Sequence, residues 1–518
     1  MARTFVCCGM VLLVCVFGAG SASGAAERRM VDAAKRGDSH AIRSLIAQRV
    51  DVNAAEPDGT TALFYAADRG DVEAVDLLIA AHADAKVVNR YGVSALSVAS
   101  VNGSAAIIER LLKAGADANT AMPGGETVLM TAARAGTAET IRVLVAHGAD
   151  VNATEKVRGQ TALMWASFEN NVPVVRELIK AGADVRARAH EPAGNFMNSD
   201  VMGFQTADQF EKNAKTSLTP LLFAIRQGSR EAAQALLDAG ADVNDVAADG
   251  SGTVVIALIN AHYELADLLL DRGAEVNASK SGWTPLHQVV RTRRLNIGNL
   301  PAPVATGTLS SLAFARKLIA RGADVNARMT KEFHDYYRNR MKRIGATPLL
   351  LASKTADVEM MRLLLESGAD PLLATEEGTT PLMVSSGVGI SVPGEDDGGE
   401  GAPVLEAVAM LLERDKNVAA TNAKGETALH GAAKRGNLEL IQILVGKGAK
   451  LDARTFPGKI SSPWTPKEGL LPLEFAQGKN ETVRRVSPKA VVLMKQMMTE
   501  RGIALPPDLV DYGILEKK

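Results

Sequence analysis

Aromatic residues make up only 4% of this 518-residue chain, although 47% of it is hydrophobic. Large rings therefore cannot dominate the core, and the apolar content falls to Ala, Leu and Val packed between closely spaced helices. Cysteine is nearly missing: Cys7, Cys8 and Cys15 stand near the N-terminus and none follows. Disulfides, thiol chemistry and cysteine-ligated metals are thus excluded downstream of Cys15. An excess of either charge is missing too, since 58 Lys and Arg against 59 Asp and Glu leave a net charge of −1. That balance argues against nucleic acid as a partner, which usually needs a basic face. The sequence contains no His-Glu-x-x-His, no Cys-x-x-Cys-His, no phosphate-cradling Gly-Lys-Ser/Thr loop and no Gly-x-Ser-x-Gly elbow. Its eight histidines are scattered. No enzyme activity, metal or cofactor is expected.

The most apolar run, Phe5 to Phe17, is short of the roughly 20 residues a membrane-spanning helix needs. Arg3 precedes it and small residues, Gly18 to Ala26, follow. That order reads as a secretory signal peptide over residues 1–25, cleaved between Ser21 and Ala26. Leu12-Leu13-Val14-Cys15 begins like a lipid-attachment site, but Val14 stands where a small residue is wanted. The mature chain is expected to be periplasmic or secreted rather than a lipoprotein.

What the chain has in quantity is one pentapeptide. It reads Gly115-Ala116-Asp117-Ala118-Asn119 and returns from Gly148, Gly182, Gly240, Gly273 and Gly322. Successive glycines lie 33 (115 to 148), 34 (148 to 182) and 33 (240 to 273) residues apart. A fixed period of this size marks stacked supersecondary units, none of which can bury its apolar face alone. Asp58 to Asn89 shows what one unit contains. Asp58-Gly59 makes a turn, and the Thr61 hydroxyl can cap the next helix. Ala62, Leu63, Ala66 and Ala67 give that helix a small-residue face, and Gly70 ends it in the left-handed conformation. A second helix is predicted from Val72 to Ala80, with Val75, Leu77, Leu78 and Ile79 facing the stack.

The opening returns as Thr219-Pro220-Leu221, Thr284-Pro285-Leu286-His287, Thr347-Pro348-Leu349, Thr380-Pro381-Leu382 and Thr427-Ala428-Leu429-His430. Threonine at the cap with proline in the first helical position is a favoured start. With these residues in register, the chain resembles an ankyrin-repeat protein over about four-fifths of its length, roughly Glu27 to Arg454. The expected fold is an all-α ankyrin-repeat solenoid of about 11–12 helix-turn-helix units, with β-hairpin fingers and capping terminal units. Joined to a signal peptide, it resembles exported bacterial ankyrin proteins. The array is expected over residues 26–455, followed by a degenerate repeat and a closing helix over 456–518. His287 and His430 fill the family's structural histidine slot, where imidazole braces adjacent turns. Phe64, Met130, Met164, Leu222 and Met383 stand there elsewhere, trading a hydrogen bond for packing.

Four insertions interrupt the period, near residues 188–214, 291–310, 329–343 and 388–403. The first carries Phe196, Met197, Met202, Phe204 and Phe210, and the fourth Glu395, Asp396, Asp397 and Glu400 among glycines and prolines. The second reads as a surface excursion, locally basic through Arg291, Arg293 and Arg294. The third places Phe333, His334, Tyr336, Tyr337, Arg338 and Arg340 on one finger, and Tyr and Arg are enriched at binding hot spots.

In the family, partners usually bind the fingers and the concave face, to which the residue after the histidine slot belongs. Along this chain that row reads Tyr65, Val98, Thr131, Trp165, Phe223, Ile256, Gln288, Leu351 and Val384. It is more apolar than a solvated face requires, which marks either a partner site, as an exposed apolar stripe does, or a row that the inserted fingers cover. Tyr65, Trp165, Phe168 and Phe223 are therefore candidate contacts, alongside the finger residues 333–340. The resemblance implies non-catalytic binding of a protein or peptide; a small-molecule or glycan sensor using the aromatic row is the alternative.

Overall fold

The computed structural model describes residues 28–191, 216–294, 303–332, 341–389, 402–459, 468–480, 486–507 and 509. The expected signal peptide, the tips of all four insertions and the finger residues Phe333, His334, Tyr336, Tyr337, Arg338 and Arg340 lie outside them. The chain divides into two compact units, Met1–Asp242 and Val243–Lys518.

In the first unit, helix pairs follow one another: residues 28–36 with Ser39–Ala47, Ala62–Asp68 with Val72–Ala80, Ala95–Val101 with Ala105–Lys113, Val128–Ala135 with Ala138–Ala146, Ala162–Phe168 with Val172–Lys180, and Pro220–Gln227 with Arg230–Asp238. From Ala62–Asp68 to Pro220–Gln227, consecutive first helices pack on one another and each on its own second helix. The second unit repeats this with Thr253–Ile259 and Tyr263–Asp271, Pro285–Arg293 and Ser311–Ala320, Pro348–Lys354 and Val358–Glu366, Pro381–Ser386 and Ala402–Leu412, Ala428–Arg435 and Leu438–Gly446, and finally Pro472–Ala476 and Pro488–Glu500. Both units are solenoids of paired helices, with one two-stranded sheet among the described residues. No helix among those residues is long and apolar enough to cross a membrane.

The predicted unit 58–89 is found as read, with one correction. Thr61 Oγ1 accepts the Phe64 N–H at 3.4 Å, Asp71 caps the second helix, and Gly70 takes φ +70°. On the second helix, Ala74, Val75 and Leu78 are buried, whereas Leu77 and Ile79 are half-exposed. With 3.6 residues per turn, 74, 75 and 78 share one face, and 77 and 79 fall to its two sides.

The third residue of each first helix shows a pattern that spacing did not reveal. In six of them the side chain reaches back to the cap N–H: Ser97 Oγ at 3.3 Å, Met130 Sδ and Met164 Sδ at 3.5 Å, His287 Nδ1 at 3.3 Å, His430 Nδ1 at 3.0 Å and Glu474 Oε2 at 2.9 Å, whereas Phe64 and Leu222 have no atom to do so. Methionine thus keeps a weak version of the bond it was expected to forgo, since a thioether sulfur is a poor acceptor. Only the histidines also reach onward: His287 Nε2 donates to the Ala346 carbonyl at 3.1 Å and His430 Nε2 to the Leu470 carbonyl at 3.2 Å.

Asparagines of the pentapeptide form a ladder. Asn119 Nδ2 donates to the Gly148 carbonyl at 3.0 Å, and Oδ1 accepts the Asp150 N–H at 2.8 Å. Asn152 does the same with Gly182 and Asp184, and in the second unit Asn277 with Gly322 and Asp324. Each rung joins one repeat to the next.

The insertions start from ordered bases. Strands Ala189–Glu191 and Thr216–Leu218 pair antiparallel, with Ala189 opposite Leu218, at the root of the first. At the third, Glu332 accepts the N–H groups of Arg343 (2.6 Å) and Ile344 (3.2 Å) and pairs with the buried Arg343 guanidinium at 3.2 Å. The second lies at the surface as read, and its described parts are tethered to the fold. Leu309 N–H donates to Glu264 at 2.6 Å, His262 Nδ1 meets Thr306 Oγ1 at 3.2 Å, and Arg293 is mostly buried against Asp357 at 2.7 Å. Residues 304–308 and 310 are exposed, Val304 at 82%. At the C-terminal end, Ala490, Val491, Met494 and Met498 bury the last helix, and Glu474 and Lys479 form a buried pair at 3.1 Å.

Candidate partner-binding site

Four of the candidate residues belong to the described part of the first unit: Trp165 and Phe168 share one helix, Phe223 lies on the helix packed against it, and Tyr65 lies three repeats earlier. Tyr65 and Trp165 occupy the same position of two repeats, four residues after the capping Thr61 and Thr161. Both are half-buried, as is Val98 between them in sequence, so each ring keeps an accessible edge. Phe168 is 39% exposed one turn further on, and Val101 holds the corresponding place on its helix at 46%.

Charge surrounds these rings. Tyr65 Oη donates to Glu56 at 2.6 Å, Lys35 pairs with the same carboxylate, and the Lys35 ammonium lies 4.8 Å from the Tyr65 ring centroid. The bonds from Lys35 and Tyr65 hold the Glu56 carboxyl below its usual range, while its bond to Glu56 raises Lys35. Burial, then the bond to Glu56, pushes the Tyr65 phenol up. Two repeats on, the exposed Arg134 guanidinium stacks 5.0 Å from the Trp165 ring centroid. Trp165 Nε1 is buried and has no acceptor among the described residues. The site therefore offers aromatic faces, one stacked cation and one prearranged Lys–Glu–Tyr group.

Phe223 is a correction. It is only 3% exposed, with helix Pro220–Gln227 packed on Ala162–Phe168 and the Arg226 guanidinium 5.4 Å from its ring centroid. It serves the interior of its repeat and offers little to a partner. The same holds for much of the apolar row: Thr131 is 2% exposed, and Ile256, Gln288, Leu351 and Val384 of the second unit are all buried. Gln288 is satisfied internally, accepting Trp283 Nε1–H at 3.0 Å and donating to Thr292 at 2.9 Å. An accessible row is thus a property of the first unit. Sequence reasoning overlooked Val101 and the exposed finger pair Arg90 and Tyr91, whose guanidinium and ring stack at 4.8 Å. A period-33 comparison of Val101 with Phe168 would have found the former.

The second unit instead holds a cleft of about 420 Å³ lined by Tyr263, Thr292, Arg293, Arg294, Pro303 and Ser310. Its principal cation is committed to the fold: Arg293 binds Asp357, Glu359 and the Ser311 hydroxyl. His287 and His430 are fully buried, and desolvation pulls their imidazoles down to about 4, so both are neutral braces.

Stacked helix pairs joined by capped turns and an asparagine ladder define a class of repeat solenoid. Family profiles agree: "Ankyrin repeats (3 copies)" matches residues 30–122, 118–189 and 221–300, "Ankyrin repeats (many copies)" residues 402–445, and "Ankyrin repeat" residues 344–376. Together they cover more than half of the chain, which belongs to the ankyrin-repeat family. Among curated relatives, it is 30% identical over 151 residues to the B-cell lymphoma 3 protein homolog of Mus musculus, covering 24% of this chain and 34% of that one. It is 31% identical over 145 residues to the DNA-binding protein RFXANK of Homo sapiens (28% and 54%), and 32% identical over 119 residues to the NF-kappa-B inhibitor alpha of Sus scrofa (23% and 35%). The matches thus span between about a third and a half of these relatives. A solved structure, the human ASB11 ankyrin repeat domain, is 26% identical with a TM-score of 0.39, over 48% of this chain and 98% of that one.

Proposed function

We propose that the chain is a non-catalytic scaffold that binds another protein or peptide, with the accessible row of the first unit as its principal contact. The observation that carries this reading is Trp165 and Phe168 on one helix with the Arg134 cation stacked on Trp165, because rings and arginine concentrate binding energy; Tyr65 extends the row three repeats earlier. The third insertion is a second contact, presented from the Glu332–Arg343 clamp. A near-neutral chain favours a protein partner over nucleic acid.

Affinity capture tests the reading. Intact protein is compared with Trp165→Ala/Phe168→Ala and with a chain whose residues 331–343 are replaced by a Gly-Ser loop. A partner held by the intact chain and lost by the double variant supports the first-unit site. Loss with the loop variant alone moves the contact to the finger. If all three retain it equally, the reading fails. The second reading, a small-molecule or glycan sensor, draws on Trp165; thermal stabilisation by such a ligand with no captured protein would favour it.

Export to the periplasm or medium, as in exported bacterial ankyrin proteins, is part of the proposal and draws only on residues 3–26. Fusing residues 1–30 to a phosphatase that is active only outside the cytoplasm checks it. An inactive fusion of normal abundance would overturn it.

A further inference from the structure

Charge joins many of the second helices along each unit, and it comes from one register position, the fifth residue after the cap. Arg43 pairs with Glu73 of the next second helix at 2.6 Å, Asp76 with Arg110 at 2.7 Å and Arg142 with Glu177 at 3.7 Å. In the second unit Asp267 pairs with Lys317 at 2.5 Å and Arg362 with Glu406 at 2.8 Å. The caps from which these are counted are Asp38, Asp71, Thr137, His262 and Asp357. That position is therefore the edge a second helix turns towards its successor.

In helix Pro488–Glu500, capped by Ser487, the same count lands on Val492. This helix packs on Pro472–Ala476 and Leu438–Gly446, and no second helix follows it among the described residues. Ala490, Val491, Met494 and Met498 are its buried face, while Val492, Leu493 and Met497 stay half-exposed. A repeat array that ends in water needs a polar outer face, and here the outgoing edge is apolar instead. The helix is also long, with 13 residues against 9 in Leu438–Gly446, so that residues 497–500 run on past its neighbour.

The same face is self-complementary in charge. Lys489, Leu493, Gln496 and Glu500 follow helical spacing along one line, and all but Leu493 are fully exposed. Gln496 Nε2 donates to Glu500 Oε1 at 2.7 Å, which lays that carboxylate along the line. Lys489 and Glu500 lie equally far from the midpoint between Met494 and Lys495. Two copies of the helix laid antiparallel about that midpoint set Lys489 of each level with Glu500 of the other, and Leu493 level with Gln496. We propose that this face is an interface between two copies of the chain, paired antiparallel through helix Pro488–Glu500. Such a two-fold contact uses one patch twice and gains an ion pair at each end. A helix of 13 residues is about 20 Å long and buries less than the roughly 1,600 Å² of a standard interface, so the dimer is weak and reversible.

Sedimentation of the full chain between about 2 and 200 μM tests this, and mass action should carry it from monomer towards dimer over that range. Lys489→Glu and Glu500→Lys each set like charges at both ends of the seam, and each should weaken the dimer about tenfold at low salt. Mixed together, the two variants become complementary again at both ends and should pair about as strongly as the native chain. A misfolded variant could not be rescued in this way, so recovery on mixing reports the contact itself. A chain that stays monomeric throughout would overturn the proposal and leave the face to a different protein. A dimer that neither reversal weakens, or that mixing does not restore, would overturn it as well.

Discussion

The two units close the same helix caps with different chemistry. In the first, Ser97, Met130 and Met164 reach back to the cap N–H and stop there. In the second, His287 and His430 make the same bond with one ring nitrogen and with the other hold the next repeat. A hydroxyl, a thioether and an imidazole are thus interchangeable for capping a helix start, whereas of the three only the imidazole joins repeats and can titrate.

Acid should separate the units most strongly. Both imidazoles titrate at about 4 in the folded chain against 6.5 when unfolded. Their stabilisation is therefore complete above pH 6.5, is lost as pH falls towards 4, and falls no further below. Each histidine contributes on the order of 3 kcal/mol over that window. Hydrogen exchange at pH 7 and pH 4.5 should show helices Pro285–Arg293 and Ala428–Arg435 losing protection while Val128–Ala135 and Ala162–Phe168 keep theirs. Equal loss in both units would refute the contrast.

Cutting one asparagine rung should cost about 1–2 kcal/mol in either unit, since two hydrogen bonds go together. Asn152→Ala and Asn277→Ala are therefore expected to lower urea midpoints alike, and a large inequality would show that the ladder is not shared. Replacing His430 by Met imports the first unit's solution into the second. It keeps a cap acceptor and loses the bond to Leu470, whose carbonyl still accepts the Thr455 N–H at 3.0 Å. The cost at pH 7 should be about 1 kcal/mol, with roughly half of the acid sensitivity removed. Smallest of all, Tyr65→Phe should cost under about 1 kcal/mol and leave the second unit untouched, as local exchange rates would report.

Much of this was legible because it is local. Thr61, Gly70 and the Thr-Pro openings declare helix ends through bonds within four residues, and the helices begin and end there. Exposure of the row was not legible, because it depends on the neighbouring repeat: Trp165 and Phe223 hold the same position, yet one keeps an open edge and the other is buried. Nor could sequence join Arg293 to Asp357, 64 residues away. The basic run at 291–294 announced a charge but not its carboxylate.

The asparagine ladder has a consequence in time rather than in energy. Asn152-Ala153-Thr154 and Asn277-Ala278-Ser279 are acceptor sequences for N-linked glycans, yet each amide nitrogen is already donating to a glycine carbonyl of the following repeat. A sugar could be attached at these sites only before that repeat has docked. Expressed through a eukaryotic secretory route, the chain would carry a permanent record of which joints closed late, and occupancy at 152 and 277 would read out the order in which the array assembles.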